Sequence, residues 1–305
     1  SGFSLVGCTM RGAGFSTTSQ CSANSTMWMS VHTAIVSFFK LISDTFLSAS
    51  PYPNLPGTQC PITPCQPRRG SYSPAMPETS IVASINTDRE FTLAGPATLE
   101  GTSLHTGQKV TLTIKPAPGG HGFKFRRVDL PDKPFIDADV GRVEQVERAT
   151  TLASGSVRVH TVEHVLSALT GMGVDNALIE MDANEPPIGD GSARPFVDLV
   201  RKAGLEEQES RRKTWEIREP IHFDDKNGSH ITIVPYRGFR VSVTNLSHLG
   251  KFTQYFSSEV TPELYESEIA PARTFTFYED IKPLLDQGLI KGGSLENAVV
   301  IRDEE

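Results

Sequence analysis

The sequence predicts an α+β protein made of two layered units of similar sheet-plus-helix make-up. Three observations lead there. From Arg89 onward, short apolar–polar alternations of strand period are interleaved with stretches whose apolar residues recur at helical spacing. The run Glu206 to Lys213 is charged and poor in apolar residues, so it reads as a linker. In each half a helical stretch closes on a similar turn, Ala203-Gly204-Leu205 and Gln287-Gly288-Leu289. With 305 residues, of which 38% are hydrophobic, the chain can bury one large core or two ordinary ones.

The elements follow in order. Val110, Leu112 and Ile114 alternate with threonines and a lysine, the period of a strand with one buried face, and Phe123 and Phe125 continue that pattern. Val157 and Val159 alternate with Ser156, Arg158 and His160, so a short strand is expected to end near His160. Thr161 is the expected N-cap of a helix whose apolar face is Val162, Val165, Leu166 and Leu169, closed by Gly171 and Gly173. Asn176 to Met181 reads as a strand, and Pro195 to Val200 as a helix with proline in its first turn. Beyond the charged run, strands are expected at Ile231 to Val234 and Phe239 to Leu246. Helices are expected near Pro262 to Ile269 and Glu279 to Gly288.

The first 75 or so residues are different in kind. They are rich in Ser, Thr, Pro and Cys and hold one acidic residue, Asp44. The apolar run Ala34 to Phe39 is interrupted by Lys40 and Asp44 too soon to span a membrane. This low-acidity segment suits either an organellar targeting sequence or upstream sequence ahead of a natural start at Met76, and the second reading is preferred. Residues 1–85 are therefore expected to be disordered and without chemistry. All four cysteines, Cys8, Cys21, Cys60 and Cys65, lie in this segment, and Cys60-x4-Cys65 has no following pair to complete a zinc knuckle. The remainder carries no thiol, which fits a reducing cytoplasm. A net charge of −7 argues against nucleic-acid binding; Arg126-Arg127 and Arg211-Arg212-Lys213 are short clusters with acidic neighbours.

Candidate chemistry concentrates at Val159 to His164. A carboxylate beside an imidazole at a helix entrance suits a hydrolytic zinc site: the imidazole binds metal and the carboxylate takes a proton from water. His160-Thr161-Val162-Glu163-His164 also matches the H-x-x-E-H pattern of inverzincin metallopeptidases. That chemistry needs both histidines on one helical face, whereas His160 falls at a strand end. The bland alternative makes Glu163 and His164 ordinary polar residues of a first helical turn. Asp190-Gly191-Ser192 is open between a tight turn and a site-shaping role. His121, His222 and His230 read as ordinary surface or core residues.

Gly101-Thr-Ser-Leu-His-Thr-Gly107, Thr161-Val-Glu-His164, Asp190-Gly-Ser-Ala193, Ala272-Arg-Thr-Phe275 and Gly292-Gly-Ser-Leu295 occur in this order. Together they resemble the UDP-3-O-acyl-N-acetylglucosamine deacetylase (LpxC) family, the zinc amidases of lipid A synthesis. The resemblance runs from about Phe91 to Ile301. It implies that His164 is a zinc ligand, Glu163 the general base, and Thr274 a hydroxyl donor to the tetrahedral oxyanion. It also implies that Leu104, Phe275 and Gly293 line the substrate site. His248 falls where the family contacts substrate, but Ser247-His248-Leu249 departs from the pattern and is not assigned.

The family takes its other two zinc ligands from an H-x-x-x-D helix downstream of Gly-Gly-Ser, and its general acid from a further histidine. No H-x-x-x-D occurs in these 305 residues. The resemblance therefore implies a C-terminally truncated deacetylase, with domain I at 86–208 and an incomplete domain II at 209–305. By itself such a fragment is expected to be inactive. The parent would be a cytoplasmic monomer that releases acetate from UDP-3-O-acyl-N-acetylglucosamine, with Zn2+ as cofactor, no nucleic-acid partner and no stable membrane insertion. Each buried methylene of the acyl chain would add about 0.8 kcal/mol of affinity. The competing reading is a non-catalytic, zinc-free sugar-nucleotide-binding remnant.

Overall fold

The computed structural model describes residues 2–11, 88–146, 149–213, 217–224, 229–246, 253–286 and 290–301. Cys21, Cys60, Cys65, the apolar run Ala34 to Phe39, and His248 lie outside them. The architecture is mixed α+β, as the interleaved periodicities predict.

The main sheet has five strands in the order β3 (Ala97–Thr102), β4 (Lys109–Pro116), β10 (Ala177–Met181), β5 (Phe123–Arg127), β6 (Phe135–Asp137). Strand β10 runs antiparallel to β4 and parallel to β5, pairing Ile179 with Ile114 on one side and Phe125 on the other. These three side chains and Leu112 are buried. Each stabilises the fold by roughly 1.5–3 kcal/mol relative to exposure. Alternate residues face away and are polar: Lys115 and Glu180 form an ion pair at 2.6 Å, and Lys124 and Asp137 one at 2.8 Å. The sheet thus has one wet and one dry face.

The dry face is covered by α1 (Glu163–Gly171) and α2 (Arg194–Ala203), which pack on each other. Helix α1 buries Val165, Ala168 and Leu169, and α2 buries Phe196, Val197, Leu199 and Val200, all in one core with the sheet. Pro195 occupies the first turn of α2, where its missing N–H is not needed. A three-stranded sheet, β7 (Val143–Gln145), β8 (Thr151–Ser154) and β9 (Val157–Val159), delivers the chain to α1.

The charged run after α2 is not a linker. Leu205–Arg211 forms strand β11, antiparallel to β2 (Arg89–Leu93). Its side chains are mostly exposed, so no apolar period betrays it; backbone pairing to β2 holds it in place. Arg212 extends the anchorage by bonding the Asp175 carboxylate at 2.8 Å and the Gly173 carbonyl at 2.9 Å.

A second five-stranded sheet has the order β12 (Ile221–Asp224), β13 (His230–Tyr236), β1 (Gly2–Arg11), β14 (Arg240–Leu246), β15 (Thr253–Glu259). Strand β1 is antiparallel to β13 and parallel to β14. Part of the N-terminal segment, for which the composition suggests no ordered element, therefore occupies the middle of this sheet. Ile231, Ile233, Val241, Val243 and Phe256 are buried. A short helix α3 (Pro262–Leu264) continues as a π-type turn at Tyr265–Ile269, and β16 (Phe275–Phe277) then pairs in parallel with β17 (Val299–Ile301). Helix α4 (Tyr278–Asp286) lies between these two strands in sequence.

Candidate active site

Glu163 opens α1, and His164 follows it into the core. The ring-bearing residue His164 is 8% exposed. Glu163 retains some residue surface, but its Oε2 is shut off from solvent and has no hydrogen-bond partner. Its Oε1 accepts the Thr150 N–H at 3.0 Å. Burial pushes the Glu163 carboxyl up to about 7, opposed by the N–H groups of its own residue and Thr150 and assisted by the charge of Glu185. A carboxyl tuned to this range can accept and release a proton near neutrality.

The approach to α1 differs from the expected cap. Val162 occupies the N-cap position without a side-chain cap bond. Thr161 has φ +54°, a left-handed conformation that strains a β-branched residue, on the order of 1–3 kcal/mol. An N-capping side chain starts from extended backbone. Turned this way, the Thr161 hydroxyl instead donates to Glu185 Oε1 at 2.8 Å.

His160 stands outside the helix, as its position at the strand end predicts. Its N–H donates to the Asn184 carbonyl at 2.8 Å, and its Nδ1 lies 2.9 Å from the Thr151 hydroxyl. Burial lowers its pKa. With His160 three residues before α1, the two histidines do not share a helical face, which removes the geometric basis for the metallopeptidase reading.

Leu104 meets the loop that carries Gly293, while Thr274 and Phe275 lie against the Gly191 turn and β17. The Gly292 N–H donates to the Leu104 carbonyl at 3.0 Å, and the Lys291 N–H to His105 at 3.3 Å. A Cβ placed on Gly293 would sit 3.8 Å from Leu104 Cδ1. Thr274 donates its N–H to the Gly191 carbonyl at 2.8 Å and accepts from the Val299 N–H at 2.9 Å, and Phe275 begins β16. The Asp190 carboxylate accepts from the Ser192 N–H at 3.0 Å and hydroxyl at 2.7 Å, the geometry of a tight turn. Arg273 spans that turn and the next loop, donating to the carbonyls of Asp190 at 2.7 Å and Leu295 at 3.0 Å.

Two residues in this region escape sequence reasoning. Asn297 is buried and bonds the Ser294 N–H and the Gly292 carbonyl, each at 2.8 Å, so it shapes the Gly-Gly-Ser loop from within. Glu185 is wholly buried and accepts from the backbone of His105 and Thr106 as well as from Thr161. Asn184-Glu185-Pro186-Pro187 has the composition of an exposed turn, which conceals that role.

The family model for UDP-3-O-acyl N-acetylglycosamine deacetylase (LpxC) matches residues 90–305. The chain belongs to this family. It is 42% identical over 216 residues to the UDP-3-O-acyl-N-acetylglucosamine deacetylase of Methylococcus capsulatus, covering 70% of this chain and 71% of the relative. It is 43% identical over 211 residues to the deacetylase of Myxococcus xanthus, covering 69% and 67%. The bifunctional enzyme LpxC/FabZ of Porphyromonas gingivalis is 42% identical over 217 residues, 71% of this chain and 47% of that one. The chain thus spans about half the length of that bifunctional relative.

LpxC enzymes are zinc-dependent amidases, and the donor set bears on whether this region suits the ion. His164 and the unpartnered, desolvated Oε2 of Glu163 fit one side of such a centre. Among the described residues no group of three or more His, Cys, Asp or Glu side chains is placed to hold a metal. Nor is any described helix long and apolar enough to cross a membrane.

Proposed function

We propose that the protein hydrolyses the N-acetyl group of UDP-3-O-acyl-N-acetylglucosamine, releasing acetate in lipid A biosynthesis. In this reading Glu163 is the base and His164 a zinc ligand. The observation that carries it is the desolvated Glu163 carboxyl, with Oε2 unpartnered, directly beside the buried His164 at the mouth of α1.

A zinc ion held partly by His164 would supply Lewis acidity, lowering the pKa of water toward neutrality. Glu163 takes the proton from the attacking water, and its burial keeps it a strong enough base near neutrality. The Thr274 hydroxyl donates to the oxygen that gains charge as the amide carbon becomes tetrahedral. Leu104, Phe275 and Gly293 bound the sugar and acyl chain. The two separate five-stranded sheets support a reading as two layered units, 86–208 and 209–305, with β11 crossing the boundary between them. Cytoplasmic, monomeric action on a UDP-linked substrate accords with the family.

The test is metal content and acetate release in two variants of a protein that carries this sequence together with the family's downstream H-x-x-x-D segment. Glu163→Ala should keep zinc and lose most turnover, whereas His164→Ala should lose zinc. Full turnover in Glu163→Ala would remove Glu163 as base. Absence of stoichiometric zinc in that extended protein without the substitutions would overturn the deacetylase reading and favour the sugar-nucleotide-binding remnant.

A further inference from the structure

We propose that Glu185 is a positioning residue: its carboxyl group joins the Leu104–Thr106 loop to the strained entrance of α1, and so sets where Glu163 and His164 stand. The inference rests on the reading of those two residues as base and ligand.

The bond pattern points to this role. Glu185 is 0% exposed, and among the described residues none of its hydrogen bonds comes from a lysine or arginine; the His160 ring, itself bonded to Thr151, feels its charge. A buried carboxyl is normally held by a cation or serves chemistry directly. This one is held by three neutral donors from two separate segments. The His105 N–H reaches both oxygens, at 3.2 and 3.0 Å, and the Thr106 N–H reaches Oε2 at 3.3 Å. The Thr161 hydroxyl reaches Oε1 at 2.8 Å.

Its two clients both need holding. Thr161 is a β-branched residue at φ +54°, a conformation that persists only where surroundings impose it. Just beyond it, Val162 provides no side-chain cap, so the start of α1 lacks the usual local anchor. The adjacent Asn184 carbonyl adds a second tie, accepting the His160 N–H at 2.8 Å. On the other side, the His105 and Thr106 amides belong to the loop whose Leu104 carbonyl receives Gly292. One carboxyl therefore links the base and ligand to the loop expected to line the substrate site, while its hydrogen-bonding capacity is occupied away from substrate.

Glu185→Gln keeps the size but turns one acceptor into a donor, which cannot face backbone N–H groups. It should speed hydrogen exchange at the His105 and Thr106 amides, weaken zinc affinity about 10–100-fold, and lower kcat by a similar factor while KM changes less. Thr161→Val removes only the hydroxyl and should lower kcat while leaving those two amides protected. In a Thr161→Gly background φ +54° is unstrained, so Glu185→Gln should lower kcat severalfold less than it does alone. A merely structural carboxyl would lower thermal stability equally in both backgrounds without that coupling. Unchanged amide exchange together with unchanged zinc affinity in Glu185→Gln overturns the proposal, as does an identical kcat loss in both backgrounds. Glu163→Gln, run in parallel, keeps the readings apart. If it retains turnover the assignment of the base fails, while the exchange data still decide whether Glu185 holds the loop.

Discussion

Ser167 on α1 and Tyr265 in the π-type turn share a hydrogen bond of 2.8 Å between their hydroxyls. Tyr265 is 3% exposed, and burial raises its phenol pKa. Its ring lies against Gly171 so closely that a Cβ there would overlap it. The helix carrying Glu163 and His164 is thus braced from the side opposite its entrance.

Two changes probe this brace. Tyr265→Phe keeps the ring and loses the hydroxyl bond, and is expected to lower stability by about 1 kcal/mol in chemical denaturation. Gly171→Ala drives a methyl group into the buried ring and should cost more, roughly 1–3 kcal/mol. Equal effects from the two variants would show that the ring moves aside freely.

Gly191 answers to a stricter demand. Its φ is +82°, and a Cβ would overlap the Asn297 carbonyl, a backbone atom that no rotamer change can move. Gly191→Ala should destabilise the protein by about 2 kcal/mol or more and expose the Gly292–Asn297 loop to proteolysis. A protease-resistant variant of normal stability would refute this.

The pH dependence of stability should carry the mark of Glu90. The Ser210 hydroxyl holds its carboxyl below the ordinary 4.5, against the effect of burial, with help from Asn176 and the Gly120 N–H. A carboxyl lowered on folding stabilises the native state above its unfolded value, and that contribution disappears as pH falls through the folded one. Stability should therefore decline as acid is added below about 4.5, and less steeply in Glu90→Gln. Parallel stability–pH curves for the two proteins would exclude the effect.

Asn176 sits at the centre of the same network. Its Nδ2 donates to Glu90 at 2.9 Å and Gln208 at 2.8 Å, and its Oδ1 accepts from the Gly122 N–H at 2.7 Å. Asn176→Ala strands these buried partners and should cost roughly 2–4 kcal/mol by denaturation. A loss under 1 kcal/mol would mean that water replaces the amide.

What the sequence discloses follows from where the side chains point. Strand β4 announces itself because Val110, Leu112 and Ile114 are all buried at alternate positions, and α1 and α2 do so by their apolar stripes. The five ordered motifs disclose the family, whose model matches residues 90–305. Strand β11 stays hidden because its charged side chains reach into water and only its backbone is engaged. Glu185 stays hidden for the converse reason, since an acidic residue between Asn184 and Pro186 gives no sign that amides some 80 positions away will bury it. Thr161 has the residue type of a cap, but its long-range bond to Glu185 prevails over the local one.

The junction between the Leu104 and Gly292 loops is made almost wholly of main chain: carbonyl to N–H at residues 104 and 292, and at 105 and 291. Such a joint takes its register from peptide geometry, and it demands glycine at 292, where a Cβ would overlap the Ser103 carbonyl. A change at Leu104 therefore leaves the bonds of the joint in place, whereas any side chain at residue 292 would wedge the two loops apart.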